Sequence, residues 1–134
     1  MPRPTSALIA DDEAHVRAYF RTLLNELGVE ACWETEQGAE VVALVGAHSP
    51  GLVLLDLNLK GLGGMAVLRQ LVESHPEVPV VIITTQNSAE LVKQAAELGA
   101  SGYILKHKPR GQVLGSLREL IEALALDDAD EAGT

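Results

Sequence analysis

A chain of 134 residues has room for one domain, which buries roughly two thirds of the surface its unfolded form exposes. Its 47% hydrophobic and 22% charged residues are a globular balance; no apolar run approaches the ~20 residues of a spanning helix, and a single cysteine, Cys32, excludes a disulfide within the chain. A formal net charge of −9 argues against nucleic acid or an anionic membrane as a direct partner, because phosphates are bound through Lys and Arg.

The opening Met1-Pro2-Arg3-Pro4-Thr5-Ser6 lacks the apolar core of a secretion signal, so a cytoplasmic compartment is expected. From there, apolar runs of strand length alternate with longer stretches of helical period, five of each, the pattern of βα units feeding a parallel sheet. The first strand is Ala7-Leu8-Ile9-Ala10. After Asp11-Asp12-Glu13 comes a helix with Val16, Phe20, Leu23, Leu24 and Leu27 on one face and Gly28 at its C-terminal end. A second strand is predicted at about Val29 to Trp33 and a second helix near Gln37 to His48, before Pro50-Gly51 breaks the chain. Leu52-Val53-Leu54-Leu55 is apolar at every position, as in a strand covered on both faces, and ends at Asp56. The loop Lys60-Gly61-Leu62-Gly63-Gly64 precedes a third helix carrying Val67, Leu68, Leu71 and Val72, and its glycines suggest a pliable segment. Val80 to Thr84 is the fourth strand, a helix with Leu91, Val92, Ala95 and Leu98 ends at Gly99, and Gly102 to Leu105 is the fifth strand. Pro109 suits the first turn of a last helix bearing Val113, Leu117 and Ile121. Residues 1–6 read as an N-terminal extension, 7–125 as the domain, and 126–134, with Asp127, Asp128, Asp130 and Glu131, as an acidic tail or linker stub.

In an open parallel sheet, ligands sit outside the carboxyl ends of the strands where the strand order reverses. The unusual polar residues fall at such ends: Asp11 and Asp12 after the first strand, Asp56 after the third, Thr84 at the end of the fourth and Lys106 after the fifth. Each has a plain structural explanation. Asp11 and Asp12 could cap the first helix, Asp56 could be a turn residue, Thr84 fits a strand by propensity, and Lys106 could be a solvated amine. Together they carry more. Three carboxylates gathered at one sheet edge repel one another, and a divalent cation is the usual means of holding them ionised. Mg²⁺ takes few carboxylates and accepts phosphate oxygens, a carboxylate can be a phosphoryl-accepting nucleophile, and Thr84 and Lys106 would supply a hydroxyl donor and a positive charge.

The runs Leu8-Ile9-Ala10-Asp11-Asp12-Glu13, Leu54-Leu55-Asp56-Leu57-Asn58-Leu59 with Gly64, Pro79-Val80-Val81-Ile82-Ile83-Thr84 and Gly99-Ala100-Ser101-Gly102-Tyr103-Ile104-Leu105-Lys106 resemble, in that order, the receiver domains of bacterial two-component response regulators. The resemblance covers residues 6 to 125 and implies an α/β, flavodoxin-like (βα)5 fold with strand order 2-1-3-4-5. It implies that Asp56 is the phosphoacceptor and that Mg²⁺ is held by Asp11, Asp12, Asp56 and the backbone carbonyl of Asn58. Thr84 and Lys106 would hold the phosphoryl oxygens, and Tyr103 takes the place of the aromatic that swings inward. Asn58, Thr85 and Gln86 stand where phosphate lifetime is tuned. The implied donor is a sensor histidine kinase or phosphotransfer protein, acting on a regulatory domain that catalyses its own phosphorylation and dephosphorylation. The implied readout surface, and possible homodimer contact, is the fourth helix, fifth strand and fifth helix. An output domain, DNA-binding or otherwise, would lie outside these residues.

Three positions depart from the family's pattern. His107 stands where proline usually follows the lysine through a cis bond; before a non-proline residue that bond costs about 2.5–4 kcal/mol, so a trans bond is expected. Thr85 replaces a smaller residue, and Lys60 a common proline. Three alternatives remain: a receiver-like interaction module that no longer uses phosphate; a phosphatase of the haloacid dehalogenase class, for which Asn58 stands where a second Asp is wanted; and a P-loop protein, for which Gly61-Leu62-Gly63-Gly64 lacks the Gly-Lys-Ser/Thr ending. His15, His48, His75 and His107 lie in separate elements and are read as ordinary histidines, and Cys32 as a small buried apolar residue.

Overall fold

The alternation of side chains along each strand divides the core into two layers. In the computed structural model, which describes the backbone of residues 3–133 and the side chains of residues 3–125, five strands form one parallel sheet: β1 (Ser6–Ala10), β2 (Ala31–Thr35), β3 (Val53–Asp56), β4 (Val80–Thr84) and β5 (Gly102–Leu105). Their order is β2-β1-β3-β4-β5. The helices are α1 (Ala14–Glu26), α2 (Val41–His48, after a 3₁₀ turn at Gly38–Glu40), α3 (Gly64–Ser74), α4 (Ala89–Leu98) and α5 (Arg110–Gly133). Ile9, Leu54, Val81, Ile83 and Ile104 pack with Phe20, Leu23 and Leu24 of α1 and Val113, Leu117 and Ile121 of α5. Leu8, Ala10, Val53, Leu55 and Ile82 face the other way, onto Val41 and Val45 of α2, Val67, Leu68 and Leu71 of α3, and Ala95 of α4. With both faces covered, β3 and β4 are buried at every position, which is why they read as unbroken apolar runs. Among the described residues no helix is long and apolar enough to cross a membrane.

The chain steps outward from β1 to β2, then crosses back to lay β3 on the other side of β1. Crossovers between parallel strands keep one hand, so this reversal puts α1 on one face and α2, α3 and α4 on the other, while α5, after the last strand, packs on the face of α1. It also opens a crevice between the carboxyl ends of β1 and β3. Ala10 pairs with Leu55, so Asp11 and Asp56 emerge level with each other there.

Differences from the sequence reading are local. β2 starts at Ala31 rather than Val29, because the Val29 amide donates to Leu24 O (2.9 Å) and is spent on ending α1. Gly28, at φ 88°, makes the left-handed turn that permits this. The second helix is a 3₁₀ turn followed by α2. β1 takes in Ser6, whose hydroxyl accepts the Gly51 amide at 3.1 Å. α5 keeps helical backbone as far as Gly133, through the stretch read as an acidic tail; the side chains of Asp127, Asp128, Asp130 and Glu131, like Met1, Pro2 and Thr134, lie outside the described residues.

Candidate functional site

The carboxylates that the sequence places at separate strand ends converge. Oxygens of Asp11, Asp12 and Asp56 lie within 4.8 Å of one another, a grouping that could hold a metal ion. Asp11 and Asp56 are buried, at 0% and 1% exposure, and Asp12 is half-buried. Lys106 reaches in from the end of β5, its Nζ 2.7 Å from Asp11 Oδ2 and 3.4 Å from Asp56 Oδ1. The Lys106–His107 bond is trans, as expected with histidine in place of proline, and the lysine still points at the carboxylates. Thr84 is fully buried; its hydroxyl accepts the Gln86 amide at 3.1 Å.

Three carboxylates and one ammonium leave this centre short of positive charge. Asp56 Oδ1 accepts the Asn58 amide (3.2 Å), but Oδ2 is buried without a hydrogen-bond partner among the described residues, a condition that is costly for a charged oxygen unless a ligand completes it. Burial pushes the Asp56 carboxyl up from its ordinary range; the Asn58 amide pulls it down, Asp11 raises it and Lys106 lowers it, with a net rise. For Lys106, burial alone would lower the ammonium, but the hydrogen bond to Asp11 and the charges of Asp56 and Asp11 outweigh it, and the net direction is up. The residues therefore fit a cation on two grounds: hard carboxylate oxygens as donors, and a buried Asp56 oxygen left without a partner among the described residues.

Tyr103 is half-buried against the layer formed by α2, α3 and α4, and its hydroxyl donates to Gln86 O at 2.9 Å. Burial raises its phenol, and the Thr84 side chain opposes the rise. The Gln86 and Asn58 amide groups approach to 3.5 Å at the mouth of the crevice. Thr85 is exposed. The histidines stay apart from the carboxylates: His15 is 79% exposed, and His48 stacks on Trp33 at 4.4 Å.

Some of the scaffold escaped the sequence reading. The loop after Asp56 is fastened rather than slack: Lys60 bridges Gln37 in parallel, and Lys60 O accepts the Gly38 amide at 3.1 Å. A Cβ on Gly64 would meet Asp56 O at 2.4 Å and Leu57 Cα at 2.6 Å, both backbone atoms that cannot swing aside. Gly64→Ala is therefore expected to cost about 1–3 kcal/mol, the range for overpacking a tight site, read as a lower urea midpoint; an unchanged midpoint would mean that the loop yields freely. Buried Thr35, whose carbonyl accepts the Asp11 amide (3.0 Å), and Arg17, which donates to Asp11 O (2.7 Å), were also missed. The Thr35 contact joins distant parts of the chain, and the Arg17 contact, six residues in span, follows no helix-capping or strand pattern that would announce it.

The family model described as the response regulator receiver domain matches residues 7–118. Oxygen regulatory protein NreC of Staphylococcus carnosus is 33% identical over 113 residues, 83% of this chain and 52% of that protein. The glycerol metabolism activator of Pseudomonas putida is 33% identical over 117 residues, 85% of this chain and 52% of that protein. The chain thus spans about half the length of these curated relatives. Among solved structures, the BeF3-activated N-terminal receiver domain of Klebsiella pneumoniae RstA aligns with a TM-score of 0.78 at 28% identity, covering 87% of this chain and 97% of that one. NtrX from Brucella abortus aligns with a TM-score of 0.86 at 26% identity, covering all of this chain and 30% of that one. A family match across most of the chain, on a fold that aligns with solved receiver domains, has one conclusion: the chain belongs to the receiver domains of two-component response regulators.

Proposed function

We propose that the domain is a phosphorylation switch in which Asp56 accepts a phosphoryl group beside a Mg²⁺ held by Asp11, Asp12, Asp56 and the Asn58 carbonyl. The observation that carries this reading is the unpartnered, buried Asp56 Oδ2 among converging carboxylates with one lysine. When bound, Mg²⁺ supplies positive charge to the phosphoryl oxygens and holds the carboxylates ionised. Asp56 Oδ2, the oxygen with no hydrogen bond to lose, attacks phosphorus as the P–N bond of a donor phosphohistidine breaks and the leaving imidazole takes up a proton. The donor class is a sensor histidine kinase or phosphotransfer protein. Lys106 Nζ moves from its carboxylate partners to a phosphoryl oxygen. The Thr84 hydroxyl, which already accepts the Gln86 amide, has its own proton to donate to another.

The domain thus catalyses its own modification and its reversal by positioning and charge. Asn58 and Gln86, both neutral amides, provide no general base to hasten hydrolysis, while Thr85 sets access at the rim. Drawing Thr84 towards the phosphoryl group pulls on the segment that carries Gln86, and through its carbonyl on Tyr103, so that the α4–β5–α5 surface changes. That surface is the readout, a homodimer contact or the site of an output domain outside these residues.

Beryllofluoride, a phosphoryl mimic, tests this by amide NMR. With Mg²⁺, the Asp56, Thr84, Gln86, Tyr103 and Lys106 signals are expected to shift together, and Asp56→Asn is expected to abolish the shifts. Unmoved spectra in the parent would leave a receiver-like module that does not use phosphate.

A further inference from the structure

Every backbone and carboxylate polar group of Asp11 has a partner. Its amide donates to Thr35 O (3.0 Å), its Oδ1 accepts the Glu13 amide (2.9 Å), its Oδ2 meets Lys106 (2.7 Å), and its carbonyl accepts Arg17 Nη1 at 2.7 Å. The last contact is neither strand ladder nor helix cap. Arg17 lies early in α1 with its side chain only 16% exposed, and its Nε donates to Glu34 Oε1 on β2 at 3.0 Å. The other Glu34 oxygen is held by Arg21, which also donates to Cys32 O. Two arginines one turn apart thus tie α1 to β2 through the same carboxylate, but only Arg17 touches the turn that carries Asp11 and Asp12.

The carbonyl that Arg17 holds lies in the rigid plane of the Asp11–Asp12 peptide. Fixing its oxygen fixes that plane, and with it the direction from which the Asp12 side chain leaves the backbone. We infer that Arg17, oriented by Glu34, is a positioning residue for the cation site: it sets the Asp11–Asp12 peptide so that both carboxylates face Asp56. This rests on the reading of those carboxylates as a Mg²⁺ site. Groups that orient metal ligands without touching the metal typically carry about 10–100-fold of affinity.

Charge alone predicts the opposite sign. Arg17 is a cation beside a cation site, so its replacement by a neutral residue would tighten Mg²⁺ binding if electrostatics were its main effect. The test is calorimetric titration of the chain with MgCl₂, comparing the parent with Arg17→Gln, Arg17→Lys, Arg21→Gln and Asp56→Asn, together with a melting curve of each variant without cation. Arg17→Gln is expected to weaken Mg²⁺ by about tenfold, while Arg21→Gln, which removes the same charge and a contact to the same Glu34 carboxylate, changes affinity by less than about twofold. Should Arg17→Gln prove unfolded, Arg17→Lys, which keeps the charge but loses the fork, is read by the same criterion. Binding as tight as the parent's, or tighter, in the folded Arg17 variant overturns the positioning role, as does an equal loss in Arg21→Gln. If the parent takes up no Mg²⁺, or Asp56→Asn binds it equally well, the reading of the carboxylates fails first and the role of Arg17 falls with it; parent binding lost in Asp56→Asn but kept in Arg17→Gln rejects Arg17 alone.

Discussion

Asp56→Asn is expected to melt at a higher temperature than the parent in the absence of divalent cations while losing all uptake of a phosphoryl group. The two effects have one cause. Burial and Asp11 make this place unfavourable for the Asp56 negative charge, and one carboxylate oxygen is left unpartnered. Removing the charge relieves that penalty, by about 1–3 kcal/mol on the scale of an unsatisfied buried group, and also removes the nucleophile. The pH dependence has a definite sign. Because the folded carboxyl titrates above its ordinary 3.8, the folded state binds this proton more tightly than the unfolded state does. The parent therefore loses stability from this residue as pH rises through the window between 3.8 and the raised folded value. The Asn variant lacks that component, so the gap between the two melting curves is expected to widen from acid to neutral pH. A variant that melts lower than the parent throughout would show that the Asp56 charge is well accommodated.

Lys106→Met acts in the opposite direction. It keeps most of the length of a side chain that is only 7% exposed but removes the ammonium from between two carboxylates that are almost completely buried. Breaking a buried pair by deleting one partner costs about 3–5 kcal/mol, because the other charge stays behind. Chemical unfolding without divalent cation is expected to record a loss near the lower end of that range at neutral pH. The loss shrinks on acidification, as Asp56, whose carboxyl is raised, takes up a proton, and shrinks again when Mg²⁺ is added. A loss that neither acid nor Mg²⁺ reduces would place the role of Lys106 in packing its stem. Phosphoryl uptake is expected to fall steeply in this variant even where Mg²⁺ restores the fold, since the charge on the transferred group is then unmet.

The fold was legible because its signals are local. An apolar run such as Leu52 to Leu55 reports burial on both faces, and the spacing of Phe20, Leu23, Leu24 and Leu27 reports one helix face. The carboxylates were legible for a related reason: each follows a strand, and strand order alone brings Asp11 level with Asp56. What stayed hidden depends on tertiary contact. The start of β2 moved because the Val29 amide closes α1. The glycine-rich loop after Asp56 looked slack, but Gln37 and Gly38, more than twenty residues earlier in the chain, fasten it at Lys60. Arg17 drew no reading at all, because nothing in its neighbours says that its guanidinium ends on a backbone carbonyl.

The most direct test of the central claim is peptide mapping by mass spectrometry after the chain meets a small acyl phosphate donor, with Mg²⁺ or with chelator. The expected result is a single phosphoryl group on the peptide containing Asp56, present only with Mg²⁺ and absent from Asp56→Asn. Label of equal yield under chelator, or label that persists in the Asn variant at another residue, would contradict a cation-dependent acyl phosphate at Asp56.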